Sequence, residues 1–154
     1  MITKNDIVGL HEVFGSDLTL LMADESEKPL GEVVIGDKVR CMNGVGQINT
    51  VWEDVEIEPM IHLTVANREL ILRGYHPVYT ERGIIVACEL RKGIKVLTKE
   101  GTYEAITGIR EEGFYDRVYD VDLSMEKGKD LKEHVMYMNG IAVGDYIMEN
   151  YLEL

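Results

Sequence analysis

The chain has 154 residues, about the size of one domain and enough to bury a core without metal or disulfide support. Its net charge of -12 gives a surface field that repels phosphate backbones and anionic lipid, so neither nucleic acid nor a membrane is expected as a partner. No apolar run approaches the roughly 18 residues that span a bilayer, and residues 1–6 lack the basic-then-apolar order of a signal peptide. A soluble, cytoplasmic protein is predicted.

The predicted elements are short helices at the two ends and strands between them. Apolar spacing predicts one helix around Ile7, Leu10 and Phe14, and a second that starts near Ile147 and Met148. Between the ends, runs rich in β-branched and aromatic residues with partial alternation predict strands, and this makes the fold all-β. These runs are 47–51, 60–65, 118–123 and 134–137, and turn signals lie at Asn43-Gly44, 99–101, 112–113 and Asn139-Gly140.

The sequence repeats weakly at an offset of 57 residues. Residues 32–39 align with residues 89–96, with identical Glu, Gly, Lys and Val. The same offset aligns Thr50 with Thr107 and residues 61–65 with residues 118–122. Because the register is kept over three segments, we expect two similar β-units related by a pseudo-two-fold axis.

Cysteine and histidine usage gives no sign of a metal or a cofactor. Cys41 and Cys88 are the only cysteines and have apolar neighbours, which favours two buried structural thiols. A disulfide between them stays open. The four histidines lie far apart in sequence and lack the paired spacing of zinc ligands. No metal site and no cofactor are therefore predicted.

A family resemblance rests on three motifs in a fixed order. Residues 32–39 contain Gly36-Asp37, Tyr75-His76-Pro77 follows a strand-like run, and Asn139-Gly140-Ile141 lies near the end. With this order and spacing, residues 13–146 resemble a Hint domain, the fold of hedgehog autoprocessing domains and inteins. The resemblance implies a horseshoe of two related β-units, flanked by residues 1–12 and 147–154. It also shows Glu25 at a position where glycine is common in the family.

The first catalytic position of the family is altered in this chain. By resemblance, a cysteine, serine or threonine there attacks the preceding carbonyl and replaces an amide by a more labile ester or thioester. Val13 stands at that position, and its side chain has no lone pair with which to attack. Ser16 is the nearest hydroxyl, but a shift of three residues would disturb the match of the strand that follows.

The resemblance also implies roles for three interior residues. His76 would hydrogen-bond the scissile amide and protonate the departing nitrogen. Arg73 replaces the usual threonine of that motif, and a guanidinium near the imidazole would oppose imidazolium formation. Asp120 and His134 match two assisting positions. The structural alternatives are a buried His76 at a strand end, a solvent-facing Asp120 and a His134 that acts as a cross-strand partner.

The last junction departs from the family as well. The family ends in His-Asn followed by a nucleophile, and the asparagine cyclises to release the downstream chain. Here the residues are Gly144-Asp145-Tyr146. The Asp145 carboxylate can in principle form an anhydride and cleave before Tyr146, but a phenol with a pKa near 10 is a poor acyl acceptor for ligation. The alternative is that Gly144-Asp145 forms an ordinary turn.

Three hypotheses follow from these residues. The first is a Hint-like domain that has lost autoprocessing, keeps a vestigial site and persists as a structural or interaction module, with its own flanking segments or a host protein as partner. The second is residual autocatalytic cleavage at Asp145-Tyr146 through His76, Asp120 and His134. The third is an unrelated acidic β-domain used in assembly. If the resemblance holds, Val13 lies near Asp145 with His76 between them. The oligomeric state stays open.

Overall fold

The computed structural model describes residues 18–56, 59–113, 116–124, 134–145 and 148. Within these residues the chain forms thirteen strands, and the all-β prediction is confirmed. The four predicted strand runs fall in β4, β5, β11 and β12. The predicted terminal helices lie outside the described residues, except for Met148. The strands are β1 (Thr19–Leu21), β2 (Glu27–Pro29), β3 (Lys38–Cys41), β4 (Gly44–Glu56), β5 (Met60–Val65), β6 (Arg68–Leu72), β7 (Pro77–Thr80), β8 (Gly83–Val86), β9 (Lys95–Leu97), β10 (Tyr103–Glu112), β11 (Asp116–Ser124), β12 (Val135–Met138) and β13 (Ile141–Gly144), and 3-10 turns cover Leu30–Glu32 and Ala87–Glu89.

The strands form one open antiparallel sheet. Its order is β11-β4-β3-β12-β13-β7-β9-β10-β5-β6. Off this path, β1 pairs with β12 and β2, and β8 pairs with β7. The β12–β13 hairpin therefore lies in the middle of the sheet. The pairing of β13 with β7 joins the end of the chain to the strand that follows His76.

The predicted duplication is present in the strand pairing. β4 and β5 belong to the first half of the chain, and β10 and β11 belong to the second. β4 pairs with β11 and β10 pairs with β5, so each half forms strand pairs with the other. Val51 lies opposite Val121 in the first pair of strands, and Gly108 lies opposite Thr64 in the second. The 57-residue offset relates Val51 to Gly108 and Thr64 to Val121. Both pairs of strands have a register shift at nearly equivalent points. Such a reciprocal exchange is what a pseudo-two-fold relation between two units produces.

A hairpin with the same closing hydrogen bond occurs three times along the chain. In each copy, the residue just before or at the start of the hairpin accepts a hydrogen bond from the residue just after it. The three bonds are Leu30 N–H to Leu18 O at 2.7 Å, Ala87 N–H to His76 O at 2.9 Å and Asp145 N–H to His134 O at 3.0 Å. His76 and His134 therefore occupy equivalent positions in two copies of one structural unit.

The residues three positions after the donors of these closing hydrogen bonds are also equivalent to one another. Val33, Leu90 and Met148 hold these places, and each is buried. Met148 belongs to an apolar cluster with Leu21, Leu97, Val135, Tyr137 and Ala142. A buried side chain of this size contributes about 1.5 to 3 kcal/mol to stability.

The cysteine prediction is only half right. Cys41 is buried in the main apolar cluster, as expected. Cys88 is exposed and forms no disulfide, so its assignment as a buried structural thiol is wrong. It lies in the second 3-10 turn, which the backbone holds at the surface through the bond from Cys88 N–H to Gly74 O at 2.7 Å. Apolar neighbours in the sequence did not report this local placement.

Two turns show how the sequence fixes the backbone. Asn139 and Gly140 join β12 and β13 with φ values of 50° and 79°, and both positions are left-handed as a two-residue hairpin turn requires. The predicted turn is therefore confirmed. Glu25 has a φ of 72°, a conformation that favours glycine, at the position where the resemblance expected glycine.

The loop before β3 contains an acid-sensitive contact. Asp37 Oδ2 accepts hydrogen bonds from Lys28 Nζ at 2.8 Å and from Val34 N–H at 3.0 Å. The Lys28 bond, followed by the Val34 bond, lowers the pKa of Asp37 below 3.8. The folded state therefore binds this proton less readily than the unfolded chain. The contribution to stability is present above pH 3.8 and is lost as the pH falls through the lower folded pKa.

Replacing Asp37 by asparagine should therefore lower the free energy of unfolding at neutral pH. The difference between Asp37→Asn and the unmodified chain should shrink toward zero as the pH falls, because protonation removes the charge of Asp37 in both states. Urea unfolding of both proteins over a pH series measures this. A difference that stays constant down to the acid limit would contradict the assignment.

Candidate functional site

The candidate site lies where the middle of the sheet meets the end of the chain. His76 ends the turn between β6 and β7, His134 precedes β12, and Asp145 follows β13. Pairing of Val143 with Val78 brings the end of β13 beside the start of β7. The fold thus brings together residues that are more than 50 positions apart in the sequence.

His76 is held in place by its backbone and by its ring. It is 5% exposed. Its N–H donates to Arg73 O at 3.1 Å, so Arg73 begins the turn that positions the imidazole. The Nε2 atom lies 2.9 Å from Gly144 O. Because a carbonyl oxygen can only accept, Nε2 carries the proton of this hydrogen bond. The imidazole is therefore directed at the carbonyl before Asp145.

Asp145 is fully buried and its carboxylate has three hydrogen-bond partners. Oδ2 lies 2.9 Å from His134 Nδ1 and accepts from Leu123 N–H at 2.9 Å. Oδ1 accepts from Met148 N–H at 2.9 Å. Its exposure is 0%. The carboxylate joins β11, the start of β12 and the segment after β13.

The bond to Met148 has the geometry of a helix cap. An aspartate side chain that accepts from the N–H three residues later is the usual N-cap arrangement. Met148 is itself helical, and its N–H is bound by the Asp145 side chain. In the other two copies of the hairpin unit, a backbone carbonyl accepts the corresponding N–H, in Val33 to Leu30 at 3.3 Å and Leu90 to Ala87 at 3.2 Å.

Gly144 has no room for a side chain. A Cβ atom at this position would lie 2.5 Å from Met148 Sδ and 3.1 Å from Met148 Cβ and Cγ. The thioether side chain therefore fills the space that a residue larger than glycine would use. At 1% exposure, Met148 packs the end of β13 against the smaller apolar cluster.

Asp120 lies on the strand that carries Leu123. Its Oδ1 accepts a hydrogen bond from Val121 N–H at 2.9 Å, and the side chain is half-buried. It is therefore not the fully solvent-facing residue of the structural alternative. Asp120 lies on β11 three residues before Leu123, whose N–H binds Asp145.

The structure thus brings His76, His134, Gly144 and Asp145 together, while Val13, Ser16 and Tyr146 lie outside the described residues. The predicted approach of Val13 to Asp145 stays a prediction. Sequence reasoning missed two participants, Leu123 and Met148. The 57-residue repeat carried a signal for Met148, because extending the repeat one hairpin further aligns Met148 with Leu90 at an offset of 58.

The acid-base geometry defines what the site can do chemically. Anhydride formation requires a carboxylate oxygen of Asp145 to reach its own carbonyl carbon. Oδ1 and Oδ2 would each first have to give up hydrogen bonds that are made in a buried setting, where an unpaired polar group is costly. The arrangement favours a locked junction over a reactive one.

Among the residues that the structure describes, no group of three or more His, Cys, Asp or Glu side chains is placed to hold a metal ion. No helix in the described part is long and apolar enough to cross a membrane.

Comparison with solved structures identifies the fold. The chain is similar to the gp41-1 intein (TM-score 0.70, 19% identity, 84% of this chain and 95% of that one). It is similar to a bacterial intein-like domain from Clostridium thermocellum (TM-score 0.74, 19%, 88% and 99%). It is also similar to a DnaB intein from Synechocystis sp. (TM-score 0.70, 16%, 86% and 96%). No protein-family model matches the sequence, and no curated protein matches it significantly. The chain therefore has the intein-like Hint fold.

Proposed function

We propose that this chain is a Hint-fold domain, related to domains of protein splicing and autoprocessing, that no longer processes itself and serves as a folded structural or interaction module. Its partners would be its own flanking segments or a host protein. The observation that carries the proposal is the Asp145 carboxylate, which is fully buried and hydrogen-bonded through both oxygens. This is the residue at which a family member would release the downstream chain.

The first step of processing lacks its nucleophile. An acyl shift needs a heteroatom with a lone pair at the first position, and valine at position 13 offers only methyl groups. Neighbouring residues cannot supply this property by adjusting a pKa. The sequence alone supports this part of the proposal.

The last step is opposed by packing and hydrogen bonding. His76 Nε2 is engaged with Gly144 O, and Met148 fills the space beside Gly144. Met148 is buried at the place that Val33 and Leu90 hold after the two earlier hairpins. These features support a C-terminal segment that is part of the folded module rather than a peptide awaiting release.

The full chain fused to a reporter protein at each end is expected to keep its intact mass for days at neutral pH. Neither junction has both a nucleophile and the freedom to use it. Mass spectrometry of the purified fusion over this period provides the measurement. A matched Asp145→Ala fusion serves as the control, because it removes the carboxylate that is capable of cyclising.

A second candidate function is slow cleavage between Asp145 and Tyr146. It is favoured by the 2.9 Å contact of His134 Nδ1 with Asp145 Oδ2, which places an acid-base group on the reacting carboxylate. Loss of the C-terminal reporter from the unmodified fusion, with full retention in Asp145→Ala, would establish this function and overturn the first. Loss in both fusions would indicate a contaminating protease.

The third hypothesis, an unrelated acidic β-domain, is wrong as to the fold. Such a domain would lack the duplicated arrangement, yet β4 and β11 exchange with β10 and β5 as the duplication requires. The similarity to inteins covers 84% or more of the chain in each comparison above.

A further inference from the structure

The strand β8 differs from its counterparts in the other two hairpins. All three are the second strand of the repeated hairpin unit. β13 (Ile141–Gly144) is fully buried and pairs with strands on both sides. β2 (Glu27–Pro29) pairs only with β1 among the described residues, and it is short, charged and ends in proline. A charged, proline-containing edge is how proteins prevent unwanted strand pairing.

β8 lies at an edge of the sheet, as β2 does, but its sequence is uncharged, as that of β13 is. Its sequence, Gly83-Ile84-Ile85-Val86, contains no charge and no proline. Within the described residues it pairs only with β7. Its four residues are all partly exposed, and the space around Gly83 is open. Among the strands that the structure describes, none covers the outer edge of β8, which therefore presents N–H and C=O groups along an apolar edge.

The side chains of β8 are already packed against the domain. Ile85 contacts the main apolar cluster, and Ile84 contacts the smaller cluster that holds Met148. The strand is therefore fixed on both faces of the sheet. An added strand would pair with an ordered edge, and this reduces the entropy cost of binding.

The charges beside β8 have the opposite sign to those of the whole chain. Residues 81–92 contain three basic and two acidic side chains, in a chain of net charge -12. Arg82 directly precedes Gly83 at one end of β8, whereas Lys95 belongs to β9, which pairs with β7 on the side away from β8. Arg91 lies near the other end, where it donates to Leu90 O at 2.7 Å. Arg82 and Arg91 favour an acidic partner, whereas a second copy of this acidic chain is repelled.

From these observations we infer that the free edge of β8 is a docking site for an extended peptide that is apolar at alternate positions and acidic at its ends. The peptide adds a strand to the sheet beside β8. Backbone hydrogen bonds supply the affinity and the flanking charges supply the preference. This inference rests on the proposed role as an interaction module and names its surface.

The test is a fluorescence anisotropy titration of the full chain with a labelled hexapeptide, Glu-Val-Thr-Val-Thr-Glu. We expect saturable binding, at least tenfold weaker for the same peptide with lysine at both ends. The same peptide N-methylated at every internal residue should not bind, because it then has no internal N–H on either edge with which to pair. In hydrogen exchange measured by NMR, the outward amides of β8 should exchange rapidly alone and slowly with the peptide, while those of β2 should not change.

Variants keep the test specific. Ile84→Lys should weaken binding about tenfold or more, since a charge on an edge strand opposes pairing. Val45→Lys is the matched control, because Val45 is 56% exposed on an interior strand and should leave binding unchanged. If Ile84→Lys fails to fold, Arg82→Glu should still reduce the preference for acidic ends.

Several results would overturn the inference. Absence of binding up to about 1 mM peptide or equal binding of the N-methylated peptide excludes strand addition. Slow exchange of β8 amides in the peptide-free monomer means that the chain covers its own edge. Slow exchange that appears together with a doubled mass in sedimentation assigns the edge to a second copy. An intact double-reporter fusion that does not bind the peptide would refute this inference alone and leave the proposed loss of processing in place.

Discussion

Asp145→Ala is expected to lower the free energy of unfolding by about 3 to 5 kcal/mol, as for loss of one partner of a buried pair. The substitution removes the acceptor for His134, for Leu123 N–H and for Met148 N–H at once. It also leaves these donors buried without the partner around which they are arranged, and a buried donor without a partner is costly. Equilibrium urea unfolding, followed by circular dichroism, measures the effect.

Asp24→Ala provides the matched control. Asp24 Oδ1 also accepts two hydrogen bonds, from the N–H and the hydroxyl of Ser26, but it does so at the exposed surface. Its replacement should leave the unfolding curve close to that of the unmodified chain. Equal losses in the two variants would mean that burial of Asp145 contributes nothing. In that case, the Asp145 network would no longer support a locked junction.

Asp145→Asn separates the shape of the side chain from its acceptor capacity. Asparagine has the size of aspartate and is the residue that the resemblance implies at this position. Its side-chain nitrogen, however, can only donate a hydrogen bond. One of the two carboxylate positions would then meet an N–H donor from Leu123 or Met148. We expect a loss between zero and that of Asp145→Ala, because an acceptor is retained on one side only.

Gly144→Ala is expected to cost about 1 to 3 kcal/mol by overpacking. The new Cβ would lie 2.5 Å from Met148 Sδ and 3.1 Å from Met148 Cβ. Shifting the thioether alone does not relieve the contact, because the Cβ and Cγ atoms of Met148 are also close. Urea unfolding of Gly144→Ala, Met148→Ala and the double variant gives the coupling between the two positions.

The double variant should lose less stability than the sum of the two single variants. Met148→Ala alone leaves a cavity and should cost about 2 to 5 kcal/mol, and the alanine at position 144 partly fills it. A coupling of about 1 kcal/mol or more is the expected outcome for residues in contact. Gly74→Ala is the control, since its Cβ would meet only Cys88 Cβ, at 3.4 Å. Strict additivity would mean that Met148 does not pack on Gly144.

These two experiments bear directly on the proposed loss of processing. If the Asp145 network and the Met148 packing are as strong as expected, the end of β13 is a stabilising element of the domain. Release of the downstream chain would then require local unfolding around the carboxylate. Slow cleavage, if the double-reporter fusion shows any, should accelerate in Gly144→Ala and in Met148→Ala.

Much of the fold was readable from local patterns. The runs at 47–51, 60–65, 118–123 and 134–137 became strands because β-branched and aromatic residues suit a pleated, half-buried surface. The Asn139-Gly140 turn followed from the left-handed backbone that both residues tolerate. These properties depend on a residue and its near neighbours.

The site was only partly readable. The repeat offset placed residues 32–39 and 89–96 in equivalent units, but it did not show that β4 and β10 exchange partners between the halves. Cys88 was misjudged because apolar neighbours along the chain do not reveal which side of a 3-10 turn faces solvent. The hydrogen bonds of the Asp145 carboxylate were not foreseen, because their donors include residues as distant in the sequence as Leu123.

The sequence by itself determined the all-β character, the duplication and the valine at position 13, whose side chain has no heteroatom, because side-chain chemistry and periodicity are local properties. Only the tertiary structure decided that His76 contacts Gly144 O, that Met148 covers Gly144 and that both Asp145 oxygens are occupied. Those contacts arise from the pairing of β13 with β7 and the return of the chain onto β11. They depend on which distant strands become neighbours.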